Sequence, residues 1–352
     1  MERVMLGMSG GVDSTAAALL LQEAGYDVCG ATLLLHRSGE EGCGAAGEAA
    51  SARRAAERLG IPFFTPDCTE EFAAQVMGDF VSEYRAGRTP NPCVRCNRTV
   101  KFPLLLREAR RRGCAYIATG HYARVRRDEA SGRWQLLRGT DRNKDQSYVL
   151  YPLSQEILSC LLLPVGTWEK PALRAMAAER GMENAMRRDS QDICFIPDGD
   201  YAAFLERQGV SLEPGDFVDR QGHVLGRHRG LERYTLGQRR GLGVSGGRPL
   251  YVVEKRLEEN QVVLGDEEDL YTGALRAEEF NWVSLPPQAG PIAVTARTRY
   301  SQGEAEALAT PQGDGSVLVE FAAPQRAVTA GQSVVLYQEE LVVGGGVIAR
   351  RF

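Results

Sequence analysis

The stretch Ser9-Gly10-Gly11-Val12-Asp13-Ser14 decides the fold of this chain. It follows a short apolar run, Val4-Met5-Leu6-Gly7-Met8, and precedes the apolar segment Thr15-Ala16-Ala17-Ala18-Leu19-Leu20-Leu21. This order predicts a strand, a glycine turn and a helix, with backbone N–H groups and two hydroxyls around an anion at the helix N-terminus. The alternative is an ordinary Ser/Gly turn with an N-cap. The loop has neither the Gly-Lys-Ser/Thr ending of the kinase-type P-loop nor the third glycine of the dinucleotide fingerprint.

The composition is that of a globular protein with two or three domains. The chain has 352 residues, with 43% hydrophobic and 25% charged residues. No apolar run approaches the roughly 20 residues that span a bilayer, and the N-terminus lacks the pattern of a signal peptide. We therefore expect a cytoplasmic location, no membrane partner and mostly reduced thiols. The eight cysteines are then catalytic, metal-binding or inert rather than a disulfide framework.

The charge of the chain leaves nucleic-acid binding open. The formal net charge of −4 argues weakly against it, but local distribution matters more than the total. Arginines cluster at 107–112, 124–127 and 227–240. Each cluster alone is typical of a solvated face, and together they leave room for a basic groove on an acidic protein.

The first 200 residues alternate predicted strands and helices, which indicates a parallel sheet with crossover helices. A ligand of such a sheet binds at the carboxyl ends of the strands, where the glycine loop lies. The predicted strands are 4–8, 27–35, 63–65 and 116–119, and the predicted helices are 12–24, 45–59, 70–86, 102–112, 154–163 and 170–180.

The second half of the chain has a different texture. From about Tyr201 glycines and turn signals become dense, and from about Leu275 the chain is nearly all short strands and turns, which suggests a small barrel. We therefore predict an α/β parallel-sheet domain over 1–200, a small β-rich central domain over 201–272 and a C-terminal β-barrel over 273–352.

Two cysteine motifs are the next strongest signals. Thr89-Pro90-Asn91-Pro92-Cys93-Val94-Arg95-Cys96-Asn97 contains two prolines, which predict a loop rather than a helix and so a presented cysteine. The segment Asp189-Ser190-Gln191-Asp192-Ile193-Cys194-Phe195-Ile196 places a lone cysteine between polar residues and an apolar pair. We expect the other five cysteines to be structural or incidental.

Taken together, these motifs resemble a known family. The glycine loop is similar to the pyrophosphate loop of the PP-loop ATP pyrophosphatases, which split ATP between the α and β phosphates and pass AMP to a substrate oxygen. Over almost its whole length the chain resembles the bacterial tRNA-specific 2-thiouridylases, which sulfurate the wobble uridine of certain tRNAs. The further motifs that carry this resemblance are Ala118-Thr119-Gly120-His121-Tyr122, the segment from Asp141 to Tyr148, Tyr234-Thr235-Leu236-Gly237-Gln238-Arg239-Arg240-Gly241-Leu242, Arg299-Tyr300 and Ala330-Gly331-Gln332.

The resemblance implies a PP-loop fold for the first domain and a role for each motif. The residues that bind ATP phosphates are Gly7, Met8, Ser9, Gly10, Gly11, Val12, Asp13 and Ser14. Leu33, where the family usually has methionine, and Gly120 line the adenine and ribose side. Cys96 is the thiol nucleophile, and Cys194 carries the persulfide. The residues that meet the target base are Asn91, Pro92 and Cys93, and further tRNA contacts come from His121, Lys144, Asp145, Gln146, Arg299, Tyr300 and Gln332.

The chemistry of this family fits those residue types. Uracil O2 is a poor leaving group. Adenylation by ATP attaches AMP to this oxygen, which can then leave as part of AMP, a good leaving group. A persulfide on Cys194 then attacks C2, and Cys96 breaks the S–S bond, which leaves a Cys96–Cys194 disulfide. Attack requires thiolates, so we expect lowered thiol pKa values near Arg95 or RNA-binding cations. Mg²⁺, with Asp13 as a ligand, would neutralise the pyrophosphate. The implied partners are the tRNA anticodon stem-loop, from which the uridine flips out, and a persulfide sulfur donor protein.

Cys93 departs from the family, because many members have aspartate at this position. Three interpretations compete. Cys93 is a neutral substitution with acid–base work done elsewhere or by water, or it is a third redox thiol, or Cys93, Cys96 and Cys194 hold an iron–sulfur cluster as in related PP-loop tRNA thiolases. A further alternative for Cys93-x-x-Cys96 is half of a zinc site, although a second pair at zinc-finger spacing is missing.

Three functions compete at this stage. The first is a tRNA-uridine 2-sulfurtransferase. The second is another PP-loop adenylating ligase, related to NAD or GMP synthetases. The third is a non-catalytic RNA-binding protein with a relic loop. Both cysteine motifs and the β-rich second half favour the first over the second, and the intact Ser9, Asp13 and Ser14 disfavour the third.

Overall fold

The structure, a computed structural model, describes residues 1–36, 44–182, 184, 193–244 and 247–352. Cys43 and the first part of the second cysteine motif, 189–192, therefore lie outside the described residues. The chain folds into an α/β unit, a smaller β-rich unit and a β-barrel, which confirms the predicted fold class. Within the described residues, no helix has both the length and the apolar character needed to cross a membrane.

A parallel sheet forms the centre of the first unit. Its middle strand β1 is buried along Val4, Met5 and Leu6, as expected for a strand covered on both faces. The first elements in chain order are β1 (Arg3–Gly7), α1 (Val12–Glu23), β2 (Asp27–Ala31), α2 (Gly44–Leu59), β3 (Phe63–Phe64), α3 (Thr69–Phe72), α4 (Gly78–Arg85), α5 (Pro92–Cys96), α6 (Phe102–Arg111) and β4 (Tyr116–Thr119). They continue with β5 (Ala123–Arg127), β6 (Trp134–Arg138), α7 (Ser147–Leu150), α8 (Gln155–Leu158), β7 (Leu161–Leu162) and α9 (Lys170–Glu179).

The strand order β3-β2-β1-β4-β7 places the glycine loop at a switch point. The chain runs outward from β1 through β2 to β3 and then returns to the other side of β1 as β4. A crevice therefore opens between the carboxyl ends of β1 and β4, which is where ligands bind in open α/β sheets. The glycine loop leaves β1 there, and Gly120-His121 leaves β4 beside it.

The prediction of a loop at the first cysteine motif is wrong. Pro92 occupies the first position of α5, where its missing N–H needs no acceptor, and Asn91 caps the helix by accepting the Val94 N–H (3.3 Å). A wide π-helical turn, Asn97–Lys101, then joins α5 to α6. A second π-helical turn, Ala73–Met77, joins α3 to α4 and packs against the first motif.

Two other expectations for this unit are corrected. The helix predicted over 154–163 ends at Leu158, because Leu161 and Leu162 pair with β4 as the edge strand β7. The hairpin of β5 and β6 was not predicted, and β6 pairs with the last strand of the barrel rather than with the parallel sheet.

The β-rich unit follows with α10 (Tyr201–Arg207), β8 (Gly215–Val218), β9 (Val224–His228), β10 (Tyr251–Arg256) and β11 (Gln261–Gly265). Its sheet has the order β10-β11-β8-β9, and Phe217, Val252 and Val262 form its fully buried centre. The barrel consists of β12 (Tyr271–Asn281), β13 (Ile292–Arg297), β14 (Ala305–Pro311), β15 (Val317–Arg326), β16 (Ser333–Gln338) and β17 (Leu341–Arg351). Pairing of β12 with both β15 and β17 closes it.

Candidate active site

The glycine loop is braced by its own hydroxyl groups. Ser14 Oγ donates to the Gly11 carbonyl (3.1 Å) and accepts the Ser9 N–H (3.3 Å), and Ser9 Oγ accepts the Gly11 N–H (3.4 Å). Gly10 has a φ of +73°, and a Cβ there would lie 2.6 Å from Ser51 Cβ. The first N–H groups of a helix have no intrahelical acceptor, so this loop at the start of α1 has the build of an anion site.

Gly120 forms the floor beneath the loop. A Cβ at this position would lie 2.7 Å from the Asp13 carbonyl carbon and 2.8 Å from the Ser14 nitrogen. Met8, directly after β1, is buried in the core, and Leu33, in the segment that follows β2, is half-buried. The structure thus brings Gly120 against the predicted phosphate loop.

We expect Gly120→Ala to weaken ATP binding by about 5- to 150-fold, because the added methyl group forces the Asp13–Ser14 backbone outward at an overpacking cost of ~1–3 kcal/mol. Isothermal titration with ATP measures this effect. Gly273→Ala is the matched control, since a Cβ there meets nothing within 4 Å. Equal ATP affinity in the two variants would contradict the proposed floor.

The sequence analysis did not identify Lys170, which faces the same loop. Its Nζ donates to both carboxylate oxygens of Asp13 (2.8 and 2.7 Å), and the Tyr122 hydroxyl donates to Asp13 Oδ1 (2.7 Å). Lys170 is only 5% exposed and is the first residue of α9. A cation at a helix N-terminus opposes the helix dipole and needs an anionic partner, which is the signal that could have found it.

The two candidate catalytic cysteines differ in accessibility. Cys96 closes α5 and is 6% exposed, whereas Cys194 is exposed. Cys93, one helical turn before Cys96, is also exposed. All three thiols are free, as are the other cysteines of the described residues.

Burial controls the thiol electrostatics. It raises the pKa of Cys96. Cys194 is exposed at its surface, but desolvation by the surrounding chain still raises the pKa of its thiol to about 12, with the neighbouring Cys96 and Cys93 adding to the effect. Lys101 is the cation that lowers both pKa values, and it lies at the end of the π-helical turn after Cys96. The expectation of lowered thiol pKa values beside Arg95 is therefore wrong, since Arg95 instead pairs with Asp79 (3.4 Å).

Because the pKa of Cys194 is raised, its thiol is protonated near neutral pH in the RNA-free protein. We expect its alkylation by iodoacetamide to accelerate about tenfold per pH unit between about pH 7 and pH 10, since the thiolate is the reactive form. Peptide mass spectrometry at timed intervals measures this rate for Cys194. A rate that levels off below about pH 9 would show a thiol activated without RNA.

His121 shares the cationic neighbour Lys101 with the two candidate catalytic cysteines. It directly follows Gly120, its Nδ1 lies 2.7 Å from Thr119 Oγ1, and its ring packs on Phe102 at 5.7 Å. Burial lowers the pKa of His121 to about 3, with Lys101 adding to the effect, so the imidazole is neutral. The positive charge of Lys101 therefore lowers the pKa of His121 and of both candidate catalytic cysteines.

Some of the predicted RNA contacts of the first unit form hydrogen bonds within the protein. The Asp145 carboxylate is buried and accepts the Gly139 N–H (2.9 Å), the Ser147 N–H (3.1 Å) and the Ser147 hydroxyl (2.9 Å). Gln146 Oε1 accepts the Tyr122 N–H (3.0 Å), and Lys144 is half-buried beside them. These bonds fix the shape of the segment that presents Lys144.

Two predicted RNA contacts of the barrel, Gln332 and Tyr300, lie at the seam where the barrel meets the first unit. Gln332 Nε2 donates to the carbonyls of Thr89 (2.8 Å) and Pro90 (3.3 Å), just before α5. The Tyr300 hydroxyl donates to the Asp145 carbonyl (3.3 Å), while 44% of this residue stays exposed.

Arg299 lies apart from the thiols. It donates to the carbonyls of Leu236 (3.4 Å) and Ala327 (3.2 Å) and to Thr329 Oγ1 (2.5 Å), where the β-rich unit meets the barrel.

The described residues do not fit a resident metal. Among them, no group of three or more His, Cys, Asp or Glu side chains is arranged to hold a metal ion. Cys93, Cys96 and Cys194 all belong to this part of the chain, so the geometry does not support an iron–sulfur cluster or a zinc site there. The Asp13 carboxylate, the predicted magnesium ligand, is held by Lys170 and Tyr122.

Fold and site define a PP-loop protein of the HUP class, joined to two β-structured units and carrying thiols near its nucleotide crevice. Family models match the same three parts: the tRNA methyl transferase HUP domain over residues 2–198, the tRNA methyl transferase PRC-barrel domain over 202–266 and the aminomethyltransferase beta-barrel domain over 272–348. The chain belongs to the tRNA-specific 2-thiouridylase family.

Full-length relatives carry this assignment. The chain is 48% identical to the tRNA-specific 2-thiouridylase MnmA of Heliobacterium modesticaldum, over 99% of this chain and 93% of that protein. It is 48% identical to the enzyme of the same name from Desulfitobacterium hafniense, over 99% and 98% of the two chains. It is 46% identical to the enzyme of the same name from Acetivibrio thermocellus, over 99% of each chain.

Solved structures are more distant. The U34-tRNA thiolase NcsA from Methanococcus maripaludis, with its [4Fe-4S] cluster, matches at a TM-score of 0.35 and 18% identity, over 59% of this chain and 66% of that one. A 4-thiouridine synthetase–RNA complex with bound ATP matches at a TM-score of 0.37 and 17% identity, over 59% and 50% of the two chains.

Proposed function

We propose that this protein is a tRNA-uridine 2-sulfurtransferase, which replaces O2 of the wobble uridine by sulfur with ATP as the activating substrate. The observation that carries the proposal is that a phosphate-binding loop and two candidate catalytic cysteines belong to one region of the structure. A braced anion loop lies on Gly120, and the next residue, His121, shares the field of Lys101 with Cys96 and Cys194.

The loop and Lys170 serve the activating half of the reaction. Uridine O2 attacks the α phosphorus of ATP, the bond to the β-phosphate oxygen breaks, and pyrophosphate leaves. Backbone N–H groups at the start of α1 hold the phosphates, and Lys170 supplies positive charge beside them. Magnesium would arrive as the MgATP complex, held by phosphate oxygens and water.

The thiols serve the sulfur-transfer half. The terminal sulfur of a Cys194 persulfide attacks C2 of the adenylated uridine, and AMP leaves with O2. The Cys96 thiolate then attacks Cys194 Sγ, which forms the Cys96–Cys194 disulfide and leaves the transferred sulfur on C2 as 2-thiouridine. Lys101 favours both thiolates.

We infer two macromolecular partners from this chemistry. The exposed Cys194 suits delivery of sulfur by a persulfide donor protein, because the donor sulfur must reach it directly. The anticodon stem-loop of tRNA is the substrate, and we expect the flipped uridine to meet the predicted contacts Asn91, Pro92, Cys93, His121, Lys144 and Tyr300. Arg299 and Gln332 join neighbouring units of the protein. Besides contacting tRNA, we expect them to hold those units in the arrangement that binds it.

The test is nucleoside mass spectrometry of unmodified tRNA after incubation with the protein, ATP and a persulfide source. We expect 2-thiouridine at the wobble position, and none when ATP is omitted. ATP–pyrophosphate exchange that requires tRNA separates this function from that of another adenylating ligase. Exchange without tRNA, or unchanged tRNA in the complete mixture, would refute the proposal.

A further inference from the structure

The proposed function ends each turnover with a disulfide between a buried and an exposed cysteine. Cys96 is 6% exposed and Cys194 lies at the surface. Before another sulfur can be accepted, Cys194 must return to its thiol form. The residue nearest in sequence to Cys96 that could release it is Cys93, which is exposed and which forms or breaks no bond in the steps described above, although it is a predicted contact of the target base.

Helical geometry places Cys93 within disulfide range of Cys96. Hydrogen bonds from the Arg95 N–H to the Asn91 carbonyl (3.2 Å) and from the Asn97 N–H to the Cys93 carbonyl show that this turn is α-helical. Residues three apart in an α-helix have Cα atoms about 5 Å apart, inside the ~4.4–6.8 Å range of disulfides. They also lie on the same side of the helix.

The three thiols share one site at the seam with the barrel. Cys93 and Cys96 both raise the pKa of Cys194. Cys93 also raises the pKa of Tyr300, the barrel residue that is hydrogen-bonded to the Asp145 carbonyl. The seam is tied to the start of α5 by Gln332, which donates to the Thr89 carbonyl. Cys93 is thus an exposed thiol close to this seam.

We propose that Cys93 is the resolving thiol that regenerates Cys194. The Cys93 thiolate attacks Cys96 Sγ, a Cys93–Cys96 bond forms, the Cys96–Cys194 bond breaks, and Cys194 departs as a thiolate that takes up a proton. This exchange consumes no oxidant or reductant. A dithiol reductant then reduces the exposed Cys93–Cys96 pair in a separate step, by attack on Cys93 Sγ.

This proposal rests on the proposed function, and its direct test is disulfide mapping after one turnover. The protein carrying a Cys194 persulfide is mixed with ATP and tRNA, quenched with an alkylating agent and digested with trypsin. Arg88, Arg95 and Arg98 place Cys93 on peptide 89–95 and Cys96 on peptide 96–98, whereas Arg188 and Arg207 place Cys194 on peptide 189–207. The two candidate disulfides therefore give different linked peptides.

We expect the linkage of 96–98 to 189–207 to form first and the linkage of 89–95 to 96–98 to replace it. Persistence of the first linkage alone in the wild-type protein, with 2-thiouridine formed, would overturn the role of Cys93 and leave the proposed function standing. Absence of 2-thiouridine would instead count against the proposed function itself. Stoichiometric iron that is lost in Cys93→Ser would also overturn the thiol role, in favour of a cluster ligand.

Cys93→Ser gives a second, kinetic test. With a dithiol reductant present, we expect the steady-state rate of product formation by this variant to fall about tenfold or more below the rate of its own first turnover, with Cys96–Cys194 accumulating; comparison within the variant removes any effect of Cys93 on binding of the target base. Cys160→Ser is the matched control, because Cys160 is a half-buried thiol whose sulfur donates to the Glu156 and Ile157 carbonyls, away from the site. A Cys93→Ser protein that continues at the rate of this control would contradict the proposal.

Discussion

Replacing Cys194 or Cys96 by serine is expected to abolish formation of 2-thiouridine in the absence of reductant, while tRNA binding stays within about twofold of the wild-type affinity. A serine at 194 cannot carry a persulfide, and a serine at 96 cannot form the S–S bond that releases the product sulfur. Nucleoside mass spectrometry of digested tRNA measures the first effect, and a gel-shift titration measures the second. Cys160→Ser is the control for loss of a thiol elsewhere in the same unit.

The two variants are expected to stop at different points, and this separates their roles. Without reductant, Cys96→Ser stalls with tRNA joined through C2–S–S to Cys194, which appears as a protein–RNA adduct on a denaturing gel and is released by dithiothreitol. Cys194→Ser gives no such adduct and retains tRNA-dependent ATP–pyrophosphate exchange. Product from either variant in the absence of reductant, or the adduct appearing in Cys194→Ser instead, would refute the assignment.

The sequence was sufficient where a local pattern also determines the tertiary position. The apolar run at 4–8, the glycine turn and the apolar helix that follows predicted β1, the loop and α1 to within a residue or two. Gly120 was expected at the nucleotide only from the resemblance to the family. The structure puts it against Asp13, because parallel strands end at the same edge of a sheet.

The sequence failed where distant segments decide the outcome. The prolines before Cys96 predicted a loop, but Pro92 needs only a cap at Asn91 to start a helix. The hairpin β5–β6 could not be foreseen, because its partner β17 lies some 200 residues away in sequence. Thiol pKa values depend on burial by the folded chain, so Arg95 was an obvious cation in sequence and Lys101 is the relevant one in space.

Replacing Lys170 by methionine is expected to lower tRNA-dependent ATP–pyrophosphate exchange by about 10²–10³-fold. Lys170 is held beside the phosphate loop by both oxygens of Asp13, in a buried position where a single charge acts strongly on phosphate oxygens. The expected loss is of the size found on removing one preorganised donor of transition-state charge. Exchange of labelled pyrophosphate into ATP, with tRNA present, measures the activating half-reaction without any contribution from the thiols.

Loss of the ion pair also leaves the Asp13 carboxylate without its cation, so the single variant is expected to be less stable. The double variant Asp13→Asn/Lys170→Met removes both charges and should recover most of the thermal stability, since replacing both partners of a buried pair costs little. Exchange should nevertheless stay low in the double variant. Lys255→Met is the matched control, because the Lys255 amino group is also buried but lies on β10 of the β-rich unit. Recovery of exchange together with stability would show that Lys170 only holds the fold, and near-wild-type exchange in the single variant would remove it from the site.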